Sequence, residues 1–151
     1  MFDYNQSFAI SAAGMAAEHT RVDVAALNLA NANTLQTTEG GGYQPMHAVL
    51  RSGATAESFA SQVAAGESNA QLVASLEPEA VLEPSAVAPR QVYDPSNPFA
   101  DGKGYVNYPG VDTATEMVDM MTAMRSYEAN VAAMNVAKAL ALKALDIGGN
   151  S

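Results

Sequence analysis

A chain of 151 residues, 48 % of them apolar, is long enough for one domain with a sizeable core. With no cysteine it can build no disulfide framework, zinc knuckle or thiol nucleophile, and only His19 and His47 remain as histidine ligands or bases. Seven Lys and Arg against 16 Asp and Glu, a formal charge of -9, weigh against a nucleic-acid backbone or an anionic membrane surface as partner.

All seven prolines lie between Pro45 and Pro109, and eight of the eleven glycines lie between Gly40 and Gly110. The two ends are therefore built differently from the middle. Residues 1–34 hold nine alanines, one glycine and no proline, a composition that predicts a long helix. Within it Phe8, Ala12, Met15, Val22, Ala26 and Leu29 recur at 4,3 spacing with His19 in one slot, and Ile10, Ala13, Ala17, Val24 and Leu27 run beside them. Asn28, Asn31 and Asn33 ahead of Thr34 suit fraying and a turn at the end of this helix.

The middle, 35–111, carries six of the ten aromatics and eight acids against three bases. Short runs with strand character occur at 48–50, 71–73, 90–93 and 104–108. Breakers stand between them at Gly40 to Gly42, Pro78, Pro84, Pro95, Pro98 and Pro109. These features predict a small, irregular, β-rich domain with a flexible part at 54–88, where Ala56 to Ala65 could form a short helix.

Residues 112–147 read as a second long helix, with nine alanines and no internal breaker, followed by a tail at 148–151. Thr113-Ala114-Thr115-Glu116 matches a capping box, Asp112 adds favourable charge, and Gly148-Gly149 supplies the stop. Met117, Met121, Met124, Val131, Leu142 and Leu145 form one seam, interrupted by Glu128, Asn135 and Lys138. Met120, Met124, Tyr127, Val131, Met134, Ala141 and Leu145 form an overlapping stripe.

Both helices would be roughly 50 Å long, more than a middle segment this small can cover. Each is apolar over an arc wider than one partner helix buries. The expected fold class is α+β: long N- and C-terminal helices in an antiparallel, coiled-coil-like region, with the small β-rich domain between them. Flexible methionines suit a surface that adapts to non-identical neighbours. Polar residues inside the arcs, Asn28, Asn31, Arg125, Asn130 and Asn135, make sense where several helices meet and each amide finds a partner.

No catalytic, metal or cofactor constellation emerges. His19 has only Asp23 at helical ligand spacing, His47 has no local partner, and Glu116 with Asp119 is explained by the dipole at a helix start. Asp94 to Gly102 resembles a calcium loop superficially, but Tyr105 stands where the bidentate acid belongs. Gly102-Lys103-Gly104 lacks the third small residue of a dinucleotide fingerprint, and Gly40 to Gly42 lacks the Lys and Ser/Thr of a phosphate loop. No apolar run approaches the length of a membrane span. The start of the chain, whose first base is Arg21, is not expected to be a secretory signal peptide.

Several motifs resemble one family. Leu27-Asn28-Leu29-Ala30-Asn31-Ala32-Asn33-Thr34 is similar to the asparagine- and alanine-rich signature of bacterial flagellar rod, hook and hook-associated proteins. Glu39-Gly40-Gly41-Gly42-Tyr43, the block from Val92-Tyr93-Asp94-Pro95-Ser96-Asn97-Pro98 through Gly104-Tyr105-Val106 to Asp112, and Glu116 to Met121 with Arg125 to Val131 resemble the proximal-rod branch of the flagellar basal-body rod proteins.

The resemblance implies a non-enzymatic structural subunit of the periplasmic rod, the drive shaft that transmits torque from motor to hook. Such subunits are exported unfolded through the flagellar type III apparatus without a cleaved signal. The implied partners are copies of the same chain, other rod proteins of the FlgB, FlgF, FlgG and FliE types, the export apparatus and periplasmic ring proteins. The residues expected to pack between subunits are Phe8, Met15, Val22, Leu27, Asn28 and Asn31, then Met117, Met120, Met121, Met124, Arg125, Tyr127, Asn130, Val131, Met134 and Leu142. The middle-domain motif is Asp94, Pro95, Asn97, Pro98, Gly104 and Tyr105. Two alternatives stay open: another rod- or hook-type axial subunit, which would usually have a longer middle domain, and a cytosolic helical-hairpin export chaperone or adaptor.

Overall fold

A computed structural model of the chain describes residues 4–36, 41–52 and 77–149. Along these run α1 (Tyr4–Asn31), β1 (Met46–Ser52), β2 (Pro78–Pro84), β3 (Arg90–Tyr93), β4 (Tyr105–Tyr108) and α2 (Thr113–Gly149). The α+β class is as the sequence predicts. The expected strand at 71–73 and the optional helix at 56–65 lie outside the described residues.

The end of α1 follows from its amides. Asn31 Nδ2 donates to the Leu27 carbonyl at 2.8 Å, and the Thr34 N–H donates to the Asn31 carbonyl at 3.0 Å, so the last carbonyls are satisfied by a turn. The start of α2 differs from the expected capping box. Asp112, not Thr113, is the cap: its Oδ1 accepts the Ala114 N–H at 3.0 Å, and its Oδ2 accepts the Thr115 hydroxyl at 3.1 Å. The Asp112 carbonyl also takes the first helical bond, from the Glu116 N–H at 3.0 Å. An aspartate one position earlier satisfies the orphan Ala114 donor and adds charge at the dipole's positive end. Glu116 is thereby released from capping.

β3 and β4 form an antiparallel hairpin with Val92 opposite Val106 and Tyr93 opposite Tyr105. β1 pairs with β2 in a separate two-stranded sheet. The Ser85 N–H donates to the Pro45 carbonyl at 2.8 Å, which closes the end of that sheet. β2 corrects the reading of Pro78 and Pro84 as breakers between elements. They stand at its two ends, where a missing N–H costs little, and they bound a strand between them.

By internal contacts the chain forms two compact units. One holds the described residues of Met1–His19, Leu50–Val81 and Ala123–Ser151, the other those of Thr20–Val49 and Leu82–Thr122. In the first, Gly14, Ala17, Glu18 and Ala123 are buried. In the second, Val24, Ala25, Asn28 and Ala32 of the first-helix region are buried, as are Val106 and Pro109.

Candidate functional site

The buried stripe of α1 is not the stripe of its largest apolar residues. Gly14, Ala17 and Glu18 are buried in one unit, and Val24, Ala25 and Asn28 in the other. Among the described residues of α2 only Ala123 is fully buried, while Glu116, Met120, Ser126, Asn130, Met134, Ala137 and Ala141 are half-buried at similar spacing. Small side chains let two helix backbones approach closely, so this narrow seam of Ala, Gly and amides is the one that closes. Phe8, Met15, Val22 and Asn31 are half-buried beside it, whereas Ala12, Ala26 and Leu27 are exposed.

The expected α2 seam is corrected in the same sense. Met117, Met121, Met124, Leu142 and Leu145 leave 51–70 % of their surface in solvent, and Val131 alone of that stripe is half-buried. Val118, Val136, Leu140 and Ile147 are exposed too, as is Arg125. The periodicity selected the outward stripe because it weights large side chains, which here turn away from the small-residue seam.

At the start of α2 a polar hub closes the second unit. Asn28, 1 % exposed, uses its whole hydrogen-bonding capacity. Its Nδ2 donates to the Met46 carbonyl at 2.8 Å and to Glu116 Oε1 at 3.1 Å. Its Oδ1 accepts the Tyr43 hydroxyl at 2.7 Å and the Met46 N–H at 3.2 Å. One amide thus joins α1, the approach to β1 and the first turn of α2. Burial raises the Glu116 pKa above its usual 4.5, with Asp119 adding to the effect, while the Asn28 bond and nearby His47 pull the other way. The Tyr43 phenol is raised above 10.0 by burial and by the Glu116 charge. Asn28 therefore belongs to no fraying end.

In the first unit the counterpart is Gly14. A Cβ there would lie 2.8 Å from Asn130 Nδ2, so the Asn130 amide rests on bare backbone. Asn130 is in this respect an inward residue. Glu116, Tyr43 and Gly14 were not singled out as packing residues. Their signal was available in the 4,3 spacing of Gly14, Glu18, Arg21, Ala25 and Asn28, a frame that apolar counting passes over.

The middle-domain motif is a self-satisfied turn. The Asp94 N–H donates to the Gly104 carbonyl at 2.9 Å, the Ser96 hydroxyl donates to Asp94 Oδ1 at 2.7 Å, and Asn97 Oδ1 accepts the Phe99 N–H at 3.0 Å. Asp101 Oδ1 accepts the N–H groups of Lys103 at 2.8 Å and Tyr105 at 2.9 Å. The bonds from Ser96 to Asp94, and from the Tyr105 and Lys103 N–H groups to Asp101, hold both carboxyls below their ordinary pKa of 3.8. Gly104 has φ +83°, and a side chain there would also meet the Tyr93 ring and Pro95. Pro95 and Pro98 are exposed bends, and Tyr105 meets Tyr93 edge to face at 5.3 Å.

Among the described residues no group of three His, Asp or Glu side chains could hold a metal, and no helix is long and apolar enough to cross a membrane. A cleft of about 260 Å³ beside the hub is lined by Gln36, Tyr43, Pro45 and Ser85 among others. Its hydroxyls are engaged: Tyr43 donates to Asn28, and Ser85 Oγ accepts the Val87 N–H at 3.3 Å. Among the described residues the arrangement offers contact surfaces.

Comparison with known proteins agrees with that character. The family model described as flagellar basal body rod FlgEFG protein C-terminal matches residues 103–147, which includes β4 and nearly all of α2. Flagellar basal-body rod protein FlgC of Salmonella typhimurium is 37 % identical over 141 residues, covering 93 % of this chain and 95 % of that protein. The protein of the same name from Bacillus subtilis is 37 % identical over 151 residues, covering 94 % and 96 %. That from Aquifex aeolicus is 33 % identical over 144 residues, covering 91 % and 92 %.

Proposed function

This chain belongs to the family of the flagellar basal-body rod protein FlgC, and from that premise we propose that it is built into the proximal rod through the outward face of α2. It is a structural subunit of the flagellar basal body. The observation that carries the proposal is the row Met117, Met121 and Met124, each about half exposed beside a seam already closed by smaller residues. Fully burying a side chain of this kind contributes about 1.5–3 kcal/mol. A helix that leaves Leu142 and Leu145 exposed as well has a large unrealised gain, which contact with neighbouring molecules supplies.

In the proposed assembly Leu27, Arg125, Tyr127 and Leu142 join the methionines at contacts between subunits. Phe8, Met15, Val22, Asn31, Met120, Val131 and Met134 contribute the half-buried flanks. The neighbours are copies of the same chain and other rod proteins of the FlgB, FlgF, FlgG and FliE types, with periplasmic ring proteins around them. Delivery to the periplasm runs through the flagellar type III export apparatus without cleavage of a signal. Flexible methionine side chains fit contacts with several non-identical neighbours.

The test is fractionation of flagellated cells carrying Met124→Asp. The native chain should copurify with basal bodies, and the variant should be made and exported yet leave the rod incomplete and the cells non-motile. Normal motility of Met124→Asp removes the assignment of this face. Native protein confined to the soluble cytosolic fraction would favour an export chaperone or adaptor instead.

A further inference from the structure

The seam between α1 and α2 is poor in shape information. Its most buried apolar residues are mainly small, Ala17, Ala25 and Ala123 beside Val24, and small side chains alone resist a slide of one heptad only weakly. Register must then come from residues that tolerate only one partner. Among the described residues two pairs of this kind are seen, one in each compact unit. In the first, Asn130 lies on Gly14; in the second, Asn28 donates to Glu116. Passing from one pair to the other advances two heptads on α1, from 14 to 28, and retreats two heptads on α2, from 130 to 116. Both pairs thus specify the same antiparallel register.

We infer that Asn28 is the register-setting residue of the helix pair, with Gly14 and Asn130 as a second check on the same alignment. The inference rests on the rod reading only for its consequence: one register presents the α2 methionines to neighbours in one setting. A one-heptad slide would place Ala123 opposite Asn28 and remove the Glu116 acceptor. It would also put a side chain larger than hydrogen on α1 against Asn130. The buried amide is costly to leave unsatisfied, so the slid states are depopulated. A single buried asparagine fixes alignment in coiled coils by the same physics. Asn28 goes further, because two of its other three bonds hold Met46 and the third accepts the Tyr43 hydroxyl, so alignment of the helices is coupled to the entry of β1.

Disulfide trapping in the full chain tests this directly, since the native sequence has no cysteine to interfere. Val24→Cys with Met120→Cys reports the native register. Val24→Cys with Tyr127→Cys reports a slide of one heptad, which displaces positions by about 10 Å, beyond disulfide reach. Each pair is oxidised in the purified chain and in isolated basal bodies. With Asn28 present, the native pair should form at least tenfold more disulfide than the slid pair. In Asn28→Leu, helix content by circular dichroism should be retained while that ratio falls at least fivefold and the slid product appears. Glu116→Gln, which keeps an acceptor for the Asn28 amide, should leave the native ratio within about twofold. An unchanged ratio in Asn28→Leu, or equal loss of both products with loss of helix, overturns the inference, because the amide would then act on stability alone. So would a slid product that predominates while Asn28 is present. Absence of the chain from basal bodies overturns the rod reading separately and leaves the purified-chain ratio standing.

Discussion

The two long helices have nearly the same ingredients and opposite fates. The predicted helical segments each hold nine alanines, yet α1 turns Gly14, Ala17, Val24, Ala25 and Asn28 into closed contacts, whereas α2 buries Ala123 fully and leaves ten large apolar side chains substantially exposed. Among the described residues of α1 the exposed large apolar side chains are Ile10 and Leu27. The difference lies in which residue sizes share the inner stripe. α1 supplies the small residues that allow close approach, and α2 meets them with its own small and amide residues, so its methionines and leucines face outward. α1 closes along its small-residue stripe, while α2 keeps a broad apolar face open.

The comparison breaks most sharply under a charge placed on each helix in turn. Ala25→Asp puts an uncompensated carboxylate into a closed contact and should destabilise the purified chain by about 3–5 kcal/mol. Met121→Asp, on the exposed stripe, should change stability by less than about 0.5 kcal/mol while abolishing incorporation into rods. Urea denaturation followed by circular dichroism reads the first effect, and basal-body preparations read the second. Equal destabilisation by the two substitutions would erase the distinction.

Next in size is the hub. Asn28→Ala leaves Glu116, Tyr43 and both backbone groups of Met46 short of a partner, and each such group costs about 1–3 kcal/mol where water cannot replace it. The expected loss is about 3 kcal/mol, measured in the same urea experiment. A loss below about 1 kcal/mol would mean that the hub is solvated in solution.

The smallest effect is on pH dependence, where the two kinds of carboxyl act in opposite senses. The Glu116 pKa is raised by burial, so its contribution to stability is complete below about 4.5 and is lost as pH climbs through the raised value. The Asp112 pKa is lowered by its bonds to Ala114 and Thr115, so its contribution is present above 3.8 and is lost as pH falls through the lowered value. As far as these groups govern it, Tm should rise slightly from neutral pH toward about 4.5 and fall once pH drops below 3.8. Glu116→Gln keeps an acceptor for Asn28, so it should raise Tm at pH 7 and flatten the rise on acidification. A steeper rise in that variant would contradict the assignment.

Much of the fold was legible in composition. Confinement of Pro, and of most Gly, to the middle located both helices, and turn residues located β3 and β4. Three features were not legible, each because a local rule met a stronger competitor. The capping box at Thr113 lost to Asp112, which offers two acceptor oxygens one residue earlier. Pro78 and Pro84, read as breakers, mark the ends of β2, since a strand end needs no donor from them. The inner stripe was displaced from the apolar stripe because counting large side chains cannot register that Gly14 permits the closest approach. The site was legible as a class of residues, with the methionine row on one face, but the roles of Tyr43 and Glu116 required knowing what Asn28 reaches.

The central claim is that the outward face of α2 is an interface between rod subunits. Imaging of purified basal bodies at side-chain resolution tests it most directly. The account predicts that Met117, Met121, Met124 and Leu142 are buried against neighbouring molecules in the assembled rod, with Asn28 still bonded to Glu116 inside each subunit. A rod in which those four side chains remain in solvent, or in which neighbours meet through the β3–β4 hairpin alone, would contradict it.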